Sequence, residues 1–333
     1  MIDFTLPQSL IAQQPVSPRD HARMLVYNRA TKTITDDYFY NILDHLPDLT
    51  CVVVNNSKVE HCRMLFNGGK REIFILEQAN DKTVRGMVRP GKAFRLGGIV
   101  QLTDNITGTV TAIDNDGIRT IQFNQPVDHP DLMAAQHVPL PPYILQNDEL
   151  ATEYQTVYAE PIGSKAAPTA GLHFTSELKQ AIKKDRDWAE LTLHVGLGTF
   201  APLQDENLKT GRLHHEAYEI TVDTFNKIAK AKHVTAVGTT SVRTLEALYA
   251  NDRQKCNNKD QKLIKGSTDI FIRPGFTFKR VNSLITNFHL PGTSLLLLTA
   301  AFVGAESELL RIYTHAIEQE YRFYSFGDCM LVL

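Results

Sequence analysis

The periodicity of the apolar residues changes twice along this chain, and that change limits the fold more than any single residue does. Between residues 71 and 123, short segments alternate apolar and polar side chains: Glu72-Ile73-Phe74-Ile75-Leu76, then 84–88, 99–102, 107–113 and 118–123. Turn formers such as Asn115-Asp116-Gly117 separate them, the spacing of a small antiparallel sheet or barrel. On both sides of this region the pattern differs. Apolar runs at Met24-Leu25-Val26-Tyr27, Cys51-Val52-Val53-Val54, 191–195, 234–237, 269–272 and 284–288 read as strands. Helical spacing appears at Phe225, Ile228 and Ala229, at Val242, Leu245 and Tyr249, and at Leu309, Tyr313 and Ala316. Strands alternating with helices predict a mixed or parallel sheet with helices against it. The expected architecture is therefore an α/β main domain, residues 1–62 and 150–333, with a mixed sheet flanked by helices, interrupted by an inserted antiparallel β-barrel domain, residues 63–149. A chain of 333 residues is long for one core, which also favours two domains. Pro139-Leu140-Pro141-Pro142-Tyr143 reads as the stiff return connection, and residues 251–266, rich in Asn, Asp, Gln and Lys, as an exposed loop.

Charge and cysteine usage narrow the function classes. A net charge of −2 gives no global field for nucleic acid, so any RNA contact has to come from a local patch. Residues 63–98 supply one: Arg63, Lys70, Arg71, Lys82, Arg85, Arg89, Lys92 and Arg95 against Glu72, Glu77 and Asp81. Charge alone leaves that segment more consistent with a solvated sheet face than with a phosphate-binding surface. Cys51, Cys62, Cys256 and Cys329 have no zinc or disulfide spacing, so no metal is expected and a reduced, cytoplasmic compartment fits best. Acidic Asp3 and early Pro7 do not form a secretory signal, and the apolar run 295–303 is too short to cross a bilayer, which leaves a core helix. Adjacent His214 and His215 before Glu216 would point to opposite faces of a strand, which disfavours a metal site there. No Walker lysine motif, dinucleotide glycine turn, Gly-x-Ser-x-Gly elbow or His-Glu-x-x-His occurs.

Within the α/β part, residues 163–175 (GSKAAPTAGLHFT) combine small residues, hydroxyls and His173, and run into a helix that Thr175 or Ser176 can cap. Such composition alone more often shapes a tight connection than a site. Three further loops leave predicted strands with polar residues at comparable places: Gly196-Leu197-Gly198-Thr199-Phe200, Gly238-Thr239-Thr240-Ser241 and Asn287-Phe288-His289. In a largely parallel sheet these would meet at one edge, as ligand-binding loops of open α/β sheets do. Gly238-Thr239-Thr240 joins a strand to a helix and offers an anion-receiving helix N-terminus, or else a plain capped connection.

The stretch GSKAAPTAGLHFT resembles the GS-x-AAPTAGLHFT segment of the S-adenosylmethionine:tRNA ribosyltransferase-isomerases of queuosine synthesis, the QueA family. Matching segments follow in order: Leu6-Pro7, Pro18-Arg19-Asp20, Tyr154-Gln155-Thr156-Val157-Tyr158-Ala159, Leu191-Thr192-Leu193-His194-Val195-Gly196, Ala236-Val237-Gly238-Thr239-Thr240 with Arg243 and Glu246, Leu284-Ile285-Thr286-Asn287-Phe288-His289-Leu290-Pro291, and Tyr321-Arg322-Phe323 with Gly327-Asp328. The resemblance covers nearly the whole chain and is weakest over residues 65–135. It departs at Asn55-Asn56-Ser57-Lys58-Val59, where the family usually has Asn-Asp-Thr-Arg-Val: a carboxylate is lost at Asn56, and a planar guanidinium becomes a point charge at Lys58.

The resemblance implies the same inserted β domain and a reaction that moves the ribosyl group of S-adenosylmethionine onto 7-aminomethyl-7-deazaguanine (preQ1). That base stands at the wobble position of tRNAs with GUN anticodons. Epoxyqueuosine forms, and adenine and methionine leave. The nucleoside is a co-substrate, and no prosthetic group is implied. Such chemistry needs a base, a donor for departing adenine, tolerance of a sulfonium and exclusion of water. Histidine suits the first two needs, so His173, His194 and His289 are the expected acid and base, with Glu216 and Asp328 facing the sulfonium or the amine. Thr169, Gly171, Phe174, Gly198, Thr199, Phe200, Thr239, Thr240 and Asn287 are the expected nucleoside contacts. Arg19, Asp20, Asn55, Lys58, Arg243 and Arg322 are the expected contacts to the second substrate. The protein is expected to act as a monomer, away from membranes. Two other readings stay open on the residues: a non-catalytic RNA-binding relative, and an S-adenosylmethionine-dependent methyltransferase, which the missing glycine-rich turn disfavours.

Overall fold

The computed structural model describes residues 2–145, 147–196, 203, 205–250 and 262–333; Gly198, Thr199, Phe200, Cys256 and most of the expected loop at 251–266 lie outside them. Contacts divide the chain into two units, Met1–Val59 with Leu140–Leu333, and Glu60–Pro139. In chain order the larger unit begins with β1 (Arg23–Asn28), β2 (Thr33–Tyr38), β3 (Thr50–Asn55) and the short β4 (Lys58–Val59). The smaller unit holds β5 (Arg63–Phe66), β6 (Arg71–Gln78), β7 (Thr83–Arg89), β8 (Ile99–Gln101), β9 (Thr107–Ile113), β10 (Arg119–Phe123) and β11 (Gln136–His137). The larger unit resumes with β12 (Ile162–Ser164), β13 (Asp187–Leu193), β14 (Arg212–Thr221), β15 (His233–Val237), β16 (Leu263–Ile270), β17 (Ser283–Asn287) and β18 (Cys329–Val332).

Among the described residues, nine strands form one mixed sheet in the order β16-β14-β13-β3-β15-β17-β18-β1-β2. Its centre is parallel: β13 with β3, β3 with β15 and β15 with β17. β18 runs antiparallel to β17, so Cys329 at its start sits opposite Asn287 at the end of β17. All six residues of β3 are buried, as an unbroken apolar run in a parallel sheet requires. Side chains alternate between two cores: Leu25, Tyr27, Cys51 and Val53 enter one, and Met24, Val26, Val52 and Val54 the other. Helices Ser294–Val303 and Glu306–Glu318 contribute to the first core, and helix Ser176–Asp185 contributes Leu178 and Ile182 to the second.

The smaller unit is a seven-stranded sheet in the order β11-β5-β6-β7-β10-β9-β8, its strand pairs antiparallel. A separate core of Met64, Phe66, Ile73, Val84, Phe94, Val110 and Ile121 packs within it. Two boundaries and one alternation differ from the sequence expectation. The strand expected at 191–195 is Asp187–Leu193, because pairing with β3 begins at Asp187 opposite Cys51. The strand expected at 269–272 begins at Leu263, inside the expected loop, because antiparallel pairing with β14 from Thr221 onward fixes it there. Exposed His214 and His215 lie in β14 where its register shifts, so simple alternation does not hold for them.

Candidate functional site

The chain passes from β3 to β13 on one side, then crosses back to β15 and β17 on the other, so the loops after these strands leave in opposite directions and open a crevice. The crevice is a cavity of about 730 Å³ including its open mouth. Its wall comes from distant parts of the larger unit: Tyr143; Ala167, Pro168, Thr169 and Ala170; Val195; Gly238, Thr239 and Thr240; Thr286 to Leu290; Thr293 and Leu295; Tyr324 and Ser325. Gly238 takes a left-handed φ of +83°, which lets β15 turn directly into helix Thr239–Ala250. Thr240 Oγ1 accepts from Asn55 Nδ2 at 3.3 Å, and Ser241 Oγ donates to the Val237 carbonyl at 2.7 Å. The helix therefore starts at the cavity wall, where free N–H groups favour an anion.

Asn287 and His289 join the end of β17 to this wall. Asn287 Nδ2 donates to the Tyr324 carbonyl at 3.0 Å and lies 3.3 Å from His173 Nε2. His289 Nε2 is 2.8 Å from Thr286 Oγ1, and the His289 N–H donates to Tyr313 Oη at 2.9 Å. Burial pushes the His289 imidazole down to about 4. It pushes His173 down to about 3, with nearby Arg322 adding in the same direction. Both rings are neutral near pH 7, so neither has the near-neutral pKa expected of the base.

The three histidines do not share one hollow. Only His289 lines the cavity; His173 stands behind Asn287 and lines a separate small recess with Arg19, Leu172 and Phe326. His194 follows β13 and bonds through Nδ1 to Ser57 Oγ at 2.8 Å, and Ser57 Oγ lies 2.7 Å from Ser164 Oγ. The Val195 N–H donates to Ser164 Oγ at 2.9 Å. Both serines are fully buried. If Ser164 passes its proton to Ser57 and Ser57 to Nδ1, every hydroxyl hydrogen is used. The reverse order leaves the Ser164 hydrogen with no acceptor among the described residues. Satisfying buried donors thus makes His194 an Nε2–H tautomer. Desolvation lowers its pKa, against the opposing charge of Glu219.

The other expected site residues divide in the same way. Thr169, Thr239 and Thr240 line the cavity with Asn287; Gly171 and Phe174 do not. Phe174 is wholly buried, edge-on to Phe39 at 4.9 Å and to Trp188 at 5.7 Å, so its ring is closed to a stacking ligand. Glu216 and Arg243 form a buried ion pair, and Glu216 also accepts from the Gly196 N–H at 3.0 Å. Asp328 accepts from the Arg23 and Arg322 N–H groups at 3.1 and 2.8 Å and pairs with the Arg322 guanidinium at 3.2 Å. Arg19 binds Glu153 at 2.9 Å and the Gln155 carbonyl at 2.6 Å, and Asp20 accepts from Thr175 Oγ1 at 3.0 Å. Asn55 bridges to both the N–H and the carbonyl of Leu193, while Lys58 lies in β4 against β12. None of Glu216, Arg243, Asp328, Arg322, Arg19, Asp20, Asn55 and Lys58 lines the cavity, and, Lys58 apart, their side chains tie chain segments together.

Sequence reasoning missed Tyr143, Tyr324 and Ser325, which line the cavity with the Tyr143 hydroxyl 2.6 Å from Ser325 Oγ. Tyr143 reads in sequence as part of a proline-rich connection, and only its aromatic ring among prolines could have drawn notice. Asn56 has a local explanation. It donates through Nδ2 to Glu190 at 3.3 Å and accepts from Thr192 Oγ1 at 2.7 Å, so a carboxylate there would face another carboxylate.

Comparison with known proteins extends this geometry to a family. A family model described as Queuosine biosynthesis protein matches residues 1–332. S-adenosylmethionine:tRNA ribosyltransferase-isomerase of Thermotoga petrophila is 40% identical over 99% of this chain and 98% of its own length. The protein of that name from Solibacter usitatus is 41% identical with the same coverage. The crystal structure of S-adenosylmethionine tRNA ribosyltransferase from Thermotoga maritima is 32% identical, covers 100% of this chain and 99% of that one, and superposes with a TM-score of 0.57. Agreement over the full length, in sequence and in fold, makes this chain a member of the queuosine biosynthesis protein family, that of the S-adenosylmethionine:tRNA ribosyltransferase-isomerases.

Proposed function

We propose that this enzyme transfers and isomerises the ribosyl moiety of S-adenosylmethionine onto preQ1 at the wobble position of tRNAs with GUN anticodons, giving epoxyqueuosine, adenine and methionine. The observation that carries the reading is the open cavity at the carboxyl ends of the parallel strands, lined by four segments that also carry the family motifs. Three bonds form: one from the precursor's amine to a ribosyl carbon, a carbon–carbon bond that closes the five-membered carbocycle, and a carbon–oxygen bond from the former ring oxygen that closes the epoxide. The ring oxygen's bond to one ribosyl carbon breaks, and the amine and the acidified carbon each give up a proton, one of which leaves with adenine. The bonds to adenine and to sulfur break, and their electron pairs leave with those groups. The sulfonium first acidifies the adjoining ribose carbon and then departs as methionine.

In this reading the methionine carboxylate meets the N-terminus of helix Thr239–Ala250, and the nucleoside lies against Ala170, Thr240 and Phe288. His289, half-buried in the wall, serves the departing adenine as a neutral hydrogen-bonding group. His173 supports it from behind Asn287, and His194 presents its Nε2–H elsewhere along the sheet edge. S-adenosylmethionine is consumed as a substrate. We take the antiparallel unit as the inserted barrel-like domain, whose basic segment 63–98 meets tRNA phosphates, and the helices as flanking the large sheet. The enzyme acts as a cytoplasmic monomer.

Asn56, the departure that motivates a non-catalytic reading, is engaged with Glu190 and Thr192 and is absent from the cavity wall. The test is incubation with S-adenosylmethionine and preQ1-containing tRNA, followed by chromatography of the small products. Adenine and methionine in equal amounts are expected. S-adenosylhomocysteine would mean methyl transfer, and tRNA binding without adenine release would mean a non-catalytic relative.

A further inference from the structure

We propose that Thr286 is a positioning residue: it fixes His289 as the Nδ1–H tautomer, so that the ring offers the cavity a hydrogen-bond donor for a ring nitrogen of the departing purine. The inference rests on the ribosyl-transfer reading and adds the sense of one contact and the residue that sets it. His289 and Thr286 both line the cavity. His289 Nε2 lies 2.8 Å from Thr286 Oγ1, and the His289 main-chain N–H donates to Tyr313 Oη at 2.9 Å. Burial keeps the imidazole neutral, and a neutral ring donates at one nitrogen and accepts at the other. Which nitrogen carries the hydrogen follows from Thr286. That residue is 1% exposed, so its single hydroxyl hydrogen needs an acceptor within the protein. Two are in reach, Nε2 at 2.8 Å and the Asn287 carbonyl at 3.4 Å. An O–H donor bonds best at about 2.7–2.8 Å and poorly beyond about 3.0 Å, so the hydrogen goes to Nε2.

Nε2 therefore accepts, and Nδ1 carries the ring hydrogen. Nδ1 has no partner among the described residues, and it is not one of the buried atoms left unpaired, so solvent reaches it. The donor is thus both reachable and uncommitted. When the bond between the ribosyl carbon and the purine breaks, its electron pair moves onto the purine and the charge spreads over the ring nitrogens. A fixed N–H at that charge stabilises it without reorganisation. Nδ1 keeps its hydrogen, because a neutral imidazole is not an acid near pH 7; the proton that leaves with adenine is one released by the substrates. The opposite tautomer would turn a lone pair toward the same nitrogens and repel the developing charge.

The experiment is nitrogen NMR of protein labelled in its histidine rings, the His289 signals being assigned by their loss in His289→Gln. The wild type should show a protonated Nδ1 and a bare Nε2 at pH 7, and Thr286→Val should mix the two tautomers. A protonated Nε2 in the wild type overturns the inference and leaves ribosyl transfer standing; this arm needs no variant of Thr286 to fold. Adenine release from S-adenosylmethionine with preQ1-containing tRNA gives the second readout. Thr286→Val should lower kcat at least about tenfold, short of the roughly 10²–10³ lost when such a donor is removed outright. KM for S-adenosylmethionine should stay within about twofold, since the contact strengthens only as charge develops, and Thr286→Ser should restore most of the rate. An unchanged kcat, or a loss that serine does not restore, overturns the positioning role. A raised KM with kcat unchanged assigns the contact to a group already charged in the bound nucleoside, such as the methionine carboxylate, and overturns the purine assignment. Absence of adenine release by the wild type overturns the ribosyl-transfer reading and this inference with it, whichever tautomer is found.

Discussion

Burial lowers the pKa of His173 to about 3 and that of His289 to about 4, well below the ordinary imidazole value of 6.5. Above pH 6.5 the folded and unfolded chains both carry these rings uncharged. As the pH falls below that, the unfolded chain takes up protons that the folded chain refuses, so stability present above about 6.5 is lost progressively toward about 4. Melting temperature should therefore drop between pH 7 and pH 5, by an amount on the order of a few kcal/mol in stability, and His173→Gln should flatten the curve. A wild-type melting temperature independent of pH across that window would mean that the two rings are not held neutral by burial. His194 offers a second test at the same scale. Ser57→Ala removes the hydroxyl that donates to its Nδ1, so nitrogen NMR should show the ring's pKa rising and its tautomers mixing. The histidines were legible as candidates because few residue types can serve proton transfer near neutrality. Their separation was not, because Ser57 and Ser164 are ordinary small polar residues until the fold brings them together.

Strands and helices carry their own predictions. Glu246, in helix Thr239–Ala250, is fully buried and accepts from the Lys279, Arg280 and Val281 N–H groups at 2.7, 3.0 and 2.9 Å. Glu246→Ala strands three main-chain donors and should cost about 3 kcal/mol or more, read from denaturant unfolding. Glu216→Ala leaves the Arg243 charge buried and unpaired in the core of the same element, and should cost about 3–5 kcal/mol. Gly171→Ala should destabilise the 3-10 turn Thr169–His173, since its Cβ would come within 2.1 Å of the Tyr158 hydroxyl. The parallel core strands were readable because burial on both faces writes a continuous apolar run, as in β3. β14 was not read as a strand because its burial pattern is irregular and its register shifts between Arg212 and Glu216. The cap by Glu246 was equally hidden, because its partners lie more than thirty residues away.

For the whole molecule, the cavity wall draws on residues from Tyr143 to Ser325, and the parallel order of β13, β3, β15 and β17 brings them to one edge. The alternation of strands and helices made a common edge foreseeable, and the motifs named much of the wall. Which arginines and carboxylates would turn inward to brace the chain depended on tertiary partners that no local pattern encodes. In the smaller unit, Arg63 and Arg85 are paired with Glu72, Glu77 and Asp114, whereas Lys92 and Arg95 are exposed. Replacing both by alanine should weaken tRNA binding and reduce the salt dependence by roughly one unit of slope for each phosphate no longer neutralised, measured by filter binding at several salt concentrations. Ribosyl transfer itself is decided by S-adenosylmethionine labelled separately in its ribose and in its methyl group, incubated with preQ1-containing tRNA. Ribose label should enter the tRNA nucleoside while methyl label leaves in free methionine; methyl label in the tRNA, or neither label there, would refute the transfer.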